Sequence, residues 1–282
     1  MKIGVVGAGL MGAEIALVFA LGGMPVVLND LDEAALERAM LRLAKLLDKG
    51  VDRGFYTPED RNQALAHITP ATDLESLADC DLVTEAVFEA LEAKKAVLQS
   101  LDALCRPDCI IASNTSTLPI STLAATLSPA RRPLFLGTHY FSPVSRMKLV
   151  EVVPGFDSDP AVTGKLIDIL RNIGKSPVEI KDVAGFAVNR MLHAMLIEAI
   201  KLVEEGVATP EDLDIACQLG LGHPIGPFAL MDAVSSGLCL QVQEILQEAY
   251  GERFRPPALL KQRVAAGLVG GRGQPGWIRK DS

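Results

Sequence analysis

A chain of 282 residues, 49% hydrophobic and 22% charged, is long enough for one large core or two ordinary ones and is neither disordered nor fibrous in composition. A net charge of −8 with no long Lys/Arg run excludes an extended surface for nucleic acid, although local cations and helix ends can still hold a phosphorylated small molecule. Five scattered cysteines without a C-x-x-C pair read as buried thiols, and four scattered histidines have no zinc-ligand spacing, so no metal is expected.

The first β-branched run, 2–6, begins at the second residue and leaves no room for an export leader. The apolar stretch from Ile15 to Leu28 is broken by Gly22, Gly23 and Pro25, which argues against a membrane span. The expectation is a soluble, cytoplasmic protein. Further short runs at 25–29, 80–87, 109–113, 134–141, 149–153 and 176–180 alternate with amphipathic stretches such as 32–53 and 91–104. Strands alternating with helices predict βαβ units and an α/β fold with a doubly wound, mainly parallel sheet of the Rossmann kind. After residue 185 the strand signals stop. Helical periodicity over 186–205, 210–219, 238–250 and 257–266, with 220–228 as a Gly/Pro-rich connection, predicts a smaller all-helical domain. Thr-Pro-Glu-Asp at 57–60 and 209–212 is a helix start in which Thr caps and Pro takes the first helical position. The domains are accordingly set at 1–185 and 186–282.

Gly7-Ala8-Gly9-Leu10-Met11-Gly12 is a G-x-G-x-x-G pattern. It follows a strand, opens an apolar helix and is followed by a second strand that ends at Asp30, the context in which this pattern binds a dinucleotide. The glycines allow a tight turn, close approach of pyrophosphate and packing of helix on sheet, with the phosphates at a helix N-terminus. Asp30 would accept from the adenosine ribose hydroxyls and repel a 2′-phosphate, which selects NAD.

Leu149-Val150-Glu151-Val152-Val153 is an aliphatic strand with a carboxylate in its middle. In a sheet covered on both faces that acid leaves water and requires a partner. His139, 12 residues earlier and separated from it by a Pro143-containing loop, is the candidate. The acid would hold one ring nitrogen as a donor and leave the other to take a proton from a substrate hydroxyl. Ser113 to Thr117, after the 109–113 strand, and Asn189, near the start of the second domain's first helix, are polar groups that could complete a site or be ordinary turn and surface positions.

With these residues in place the chain resembles the short-form L-3-hydroxyacyl-CoA dehydrogenases of the 3-hydroxybutyryl-CoA dehydrogenase type. The landmarks are 7–12 (GAGLMG), 84–95 (TEAVFEALEAKK), 112–117 (ASNTST), 139–153 (HYFSPV through MKLVEVV), 185–192 (GFAVNRML) and 222–232 (GHPIGPFALMD), and they span essentially the whole sequence. The resemblance implies His139 as general base, Glu151 as its orienting carboxylate, and Ser116 and Asn189 as the groups that bind the reacting oxygen. It implies NAD contacts at the glycine loop with Leu10 and Met11, at Asp30, Glu89, Lys94, Asn114 and Ser116, and at Ser142 and Arg272. Arg53 stands where a CoA-contacting cation is expected. The implied substrate is an acyl-CoA, and the implied assembly is a homodimer formed through the helical domain.

The sequence departs from the family pattern at Ser142, where Asn is common, at Leu46, where a CoA-contacting Ser is common, at Ser235-Ser236-Gly237, and over 271–277. These departures bear on substrate. A dehydrogenase of the same build acting on a free hydroxy acid, like the gulonate and carnitine relatives, is the alternative that Leu46 favours. A structural, crystallin-like role is opposed by retention of Ser116, His139, Glu151 and Asn189.

Overall fold

The computed structural model describes residues 1–271 and 273–278. The chain divides between Val183 and Ala184 into two compact units. The first is built on eight strands: β1 (Ile3–Val6), β2 (Val26–Asn29), β3 (Ile68–Ala71), β4 (Leu82–Glu85), β5 (Ile110–Ser113), β6 (Phe135–Tyr140), β7 (Leu149–Pro154) and β8 (Ser176–Glu179). They form one sheet in the order β3-β2-β1-β4-β5-β6-β7-β8. Every neighbouring pair is parallel except β6 and β7. Helical crossovers return the chain to the same sheet edge, whereas β6 and β7 are joined by a short loop and must run antiparallel.

The helices of this unit are α1 (Leu10–Leu21), α2 (Glu33–Asp52), α3 (Pro58–Ala66), α4 (Leu91–Leu104), the short α5 (Ile120–Ala124) and α6 (Pro160–Asn172). Helix α1 is buried without a break from Gly12 to Ala20, which explains why its sequence is apolar all round except at Glu14. Helix α2 instead buries a stripe at Leu36, Ala39, Leu43 and Leu47. Strand β3 carries no strand signal, because Ile68-Thr69-Pro70-Ala71 is a short edge segment held by pairing with β2. Pro70 in β3 and Pro177 in β8 mark the two edge strands, where a missing N–H is tolerated and discourages further pairing.

The second unit contains α7 (Val188–Glu204), α8 (Pro210–Gly220), α9 (Pro227–Val234), α10 (Ser236–Tyr250) and α11 (Ala258–Ala265) around Leu196, Ile200, Phe228, Met231, Leu260 and Trp277. Helix α9 begins inside the stretch expected to be a Gly/Pro-rich connection. Its N-cap, Gly226, has no side chain, and the buried Asp214 of α8 replaces one by accepting from Phe228 N and Ala229 N at 2.8 and 2.9 Å. Among the described residues no helix is long and apolar enough to cross a membrane.

Two of the sequence departures meet in this unit. Asp232 accepts from Trp277 N at 2.7 Å and Ile278 N at 2.9 Å, and Ser236 accepts from Trp277 Nε1 at 2.9 Å. A Cβ at Gly276 would lie 2.1 Å from Asp232 Oδ1, so only glycine fits at 276 beside Asp232.

Candidate active site

In the first unit β1 leads by way of α1 to β2 on one side, and β4 to β5 and β6 on the other, so the strand order reverses between β1 and β4. Ligands of such sheets bind beyond the carboxyl ends of the strands at this reversal. The side chains singled out in this unit follow those ends: the glycine loop after β1, Asp30 after β2, Glu89 after β4, Asn114 and Ser116 after β5, and His139 near the end of β6.

Gly7 has φ +102, and a Cβ there would sit 2.7 Å from Ala86 O. A Cβ on Gly12 would lie 1.9 Å from Gly7 O, so no side chain fits there. Gly9 is different, because a Cβ on it would meet no protein atom within 4 Å. It would instead intrude on the space in front of the α1 N-terminus, where pyrophosphate lies in folds of this type. That terminus has no side-chain cap and no acidic residue in its first turn, which suits an anion. Asp30 braces the loop, accepting from Ala8 N at 2.7 Å and from Asp32 N at 3.0 Å. Arg42 of α2 donates to Gly9 O at 2.8 Å from the other side, a contact with no signal in the sequence. Leu10 is exposed and Met11 half-buried at the first turn of α1. These features fit a bound dinucleotide.

Past β4 lies an ionic network in which Lys94 and Glu85 are buried and Glu89 is exposed. Lys94 is fully enclosed, and its ammonium donates to Glu85 at 2.8 Å and Val87 O at 3.2 Å and lies 3.3 Å from Glu89. Its three protons are thereby directed inward. To reach a dinucleotide, Lys94 must share or surrender one of these bonds. Glu85 also accepts from Ser113 Oγ at 2.6 Å and Val87 N at 2.7 Å. An acid in the aliphatic β4 is the same sequence signal as Glu151 in β7, and it marks Glu85 as a residue that needs a buried partner. Glu89 Oε1 accepts from Thr115 Oγ1, Ser116 N, Thr117 N and Thr117 Oγ1 within 3.0 Å. Burial alone would raise the Glu89 carboxyl, but the Lys94 charge and these hydrogen bonds outweigh it and hold it below the usual carboxylate range. Glu89 therefore shapes the loop that carries Ser116. Asn114 Oδ1 accepts from Tyr140 N at 3.0 Å, tying that loop to the strand of His139.

His139 and Glu151 are direct partners in the antiparallel β6–β7 register, with Nδ1 2.7 Å from Oε2. Both are buried, Glu151 to 1% exposure. A carboxylate can only accept, so Nδ1 carries the proton and Nε2 is the acceptor nitrogen of the neutral ring. The His139 ring lies 4.5 Å from that of Phe141. Ser142 is exposed at the start of the loop after β6, and Arg53 is exposed at the C-cap of α2. Leu46 is half-buried and packs on the core of the first unit. Asn189 is the second residue of α7, in the second unit, just after Phe186, whose φ of +46 is unusual for a non-glycine residue. Arg272 lies outside the described residues. Among the described residues no three His, Cys, Asp or Glu side chains are grouped to hold a metal ion.

The family model for the NAD-binding domain of 3-hydroxyacyl-CoA dehydrogenase matches residues 2–183, and that for its C-terminal domain matches residues 185–280. A probable 3-hydroxybutyryl-CoA dehydrogenase of Deinococcus radiodurans is 39% identical over 99% of this chain and 100% of its own length. A 3-hydroxybutyryl-CoA dehydrogenase of Bradyrhizobium diazoefficiens is 38% identical over 98% of this chain and 94% of its own. The crystal structure of (S)-3-hydroxybutyryl-CoA dehydrogenase from Ralstonia eutropha superposes with a TM-score of 0.94, at 36% identity over 99% of both chains. The chain thus belongs to the 3-hydroxyacyl-CoA dehydrogenase family and is an NAD-dependent oxidoreductase of it.

Proposed function

We propose that this chain interconverts L-3-hydroxyacyl-CoA and 3-oxoacyl-CoA of short acyl chains, with 3-hydroxybutyryl-CoA and acetoacetyl-CoA as the natural test pair. The observation that carries the chemistry is the 2.7 Å contact between His139 and Glu151, on a strand next but one to β4 and its reversal point. NAD, when bound, supplies the hydride acceptor for hydroxyacyl oxidation. His139 takes the hydroxyl proton through Nε2 while Glu151 holds Nδ1–H and stabilises the imidazolium that forms. The Ser116 hydroxyl, on a loop held by Glu89, steadies the charge developing on the reacting oxygen. Asn189 is assigned the same task by the resemblance. The exposed guanidinium of Arg53 is assigned to the CoA moiety.

The relatives' names support the short acyl chain, and the family supports a homodimer and a cytoplasmic setting. Oxidation of NADH with acetoacetyl-CoA, set against the same reaction with acetoacetate, tests the substrate. Turnover of the thioester alone is expected. Equal turnover of the free acid contradicts a requirement for CoA and favours the hydroxy-acid reading that Leu46 suggested. Arg53→Ala should raise KM for acetoacetyl-CoA and leave that for NADH unchanged. Light scattering at micromolar concentration tests the dimer.

A further inference from the structure

We propose that Glu14 and Lys175 are positioning residues for the His139–Glu151 pair, holding between them the turn that sets the register of β6 against β7. The inference rests on the activity proposed above.

The loop at 141–148 is the connection on which the pairing of His139 with Glu151 depends. A slip of one residue in an antiparallel pair turns every side chain to the opposite face, so the loop must be fixed in place. Its internal bonds are few: Arg146 N and Met147 N both donate to Pro143 O. Val144 anchors it by burial in the core of the sheet. The remaining hold is polar and comes from outside. Glu14 lies on α1, two residues past Gly12, in a buried run otherwise made of apolar and small residues. Its Oε2 accepts from Ser145 N at 3.2 Å and Ser145 Oγ at 3.4 Å. Lys175, the residue before β8, is buried and donates Nζ to Val144 O and, at 2.9 Å, to Met147 O. Ser176 N then donates to Lys148 O at 2.8 Å. Residues 144 and 147 are thus held by Lys175 Nζ, residue 145 by Glu14 Oε2 and residue 148 by the first backbone N–H of β8.

Two buried charges are an expensive way to pack a core, and apolar residues of similar size are often at least as stabilising. Burial pulls the Lys175 ammonium down to about 8, against the opposing effect of the Glu14 carboxylate, and it remains mostly charged at neutral pH. What the charges supply, and apolar groups cannot, is directional hold on the carbonyl and N–H groups of an irregular turn. Glu14 also belongs to the helix whose N-terminus faces the pyrophosphate site. The acid–base pair is thereby tied to the helix that seats the cofactor.

The test compares Glu14→Gln, Lys175→Met, Lys175→Arg and the Glu14→Gln/Lys175→Met double variant, all as the full chain with NADH and acetoacetyl-CoA. Each of Glu14→Gln and Lys175→Met should lower kcat about ten-fold, as displacement of a catalytic group by a fraction of an ångström does, and leave the NADH dissociation constant within about two-fold. Lys175→Arg should recover most of the loss. The double variant should lose far less than the product of the single losses, because both residues hold one turn. In parallel, the downfield proton resonance of His139 Nδ1–H should broaden in the two single variants, a readout that needs no substrate. Variants that fold and keep the parent's kcat and resonance overturn the proposal, as do losses that multiply or that match a loss of folded protein by circular dichroism. A parent without turnover contradicts the activity assignment instead, and the resonance then decides the role of Glu14 and Lys175.

Discussion

Lys94 and Glu85 form an ion pair of 2.8 Å in which neither side chain exceeds 1% exposure. Breaking a buried pair from one side strands the other charge, at a cost of about 3–5 kcal/mol. Lys94→Met should therefore lower unfolding stability by that order in urea titrations. Adding Glu85→Gln should restore part of it, since the stranded carboxylate is then gone. If Lys94 served chiefly as an open contact for the dinucleotide, Lys94→Met would weaken NADH binding and leave the urea midpoint near that of the parent.

Asp30 has two tasks, bracing Ala8 N at 2.7 Å and presenting a negative charge at the end of β2. Asp30→Ala should weaken NADH binding by roughly ten-fold, the scale of losing one or two charge-assisted hydrogen bonds, and narrow its lead over NADPH. Fluorescence titration with both cofactors measures this. Equal affinity of the unmodified protein for NADH and NADPH would contradict the selective role of Asp30.

His193 is buried in α7, and its Nδ1 has no hydrogen-bond partner among the described residues. Burial lowers it from 6.5 to about 4. The folded value lies below the unfolded one, so between the two the unfolded chain binds more protons and stability falls as pH drops. Linkage puts the loss at about 2 kcal/mol between pH 7.5 and pH 5. His193→Leu should flatten the dependence of the urea midpoint over this interval. An unchanged slope would show that other groups govern the acid limb.

Much of this fold was legible because buried parallel strands are aliphatic runs, and β1, β2, β4 and β5 are such runs. Strand β3 was not, since an edge segment containing Pro70 owes its extension to a neighbour and not to its own residues. Helix α9 was hidden by the glycines and prolines before it, because Asp214, which caps it, lies 12 residues before Gly226. At the site, Glu151 could be paired with His139 because a lone acid in a strand needs a partner, and the hairpin supplies one. The enclosure of Lys94 could not be foreseen, because its partners come from β4 and the loop after it, and only packing decides whether a helical lysine points to water or inward. The support of the 141–148 loop by Glu14 and Lys175 was hidden for the same reason, with partners separated by 131 and 31 positions.

The central claim is that Glu151 stands in β7 to orient and charge-balance His139. Glu151→Gln keeps the shape of the side chain and its capacity to accept a hydrogen bond but removes the charge. The most direct measurement is kcat for Glu151→Gln, His139→Gln and the double variant, with NADH affinity measured on each. The account predicts a fall of roughly 10²-fold or more for each single variant, a double variant far above the product of the two losses, and NADH affinity close to the parent's. Near-normal turnover in Glu151→Gln, or losses that simply multiply, would contradict it and leave Glu151 as a structural residue of the strand.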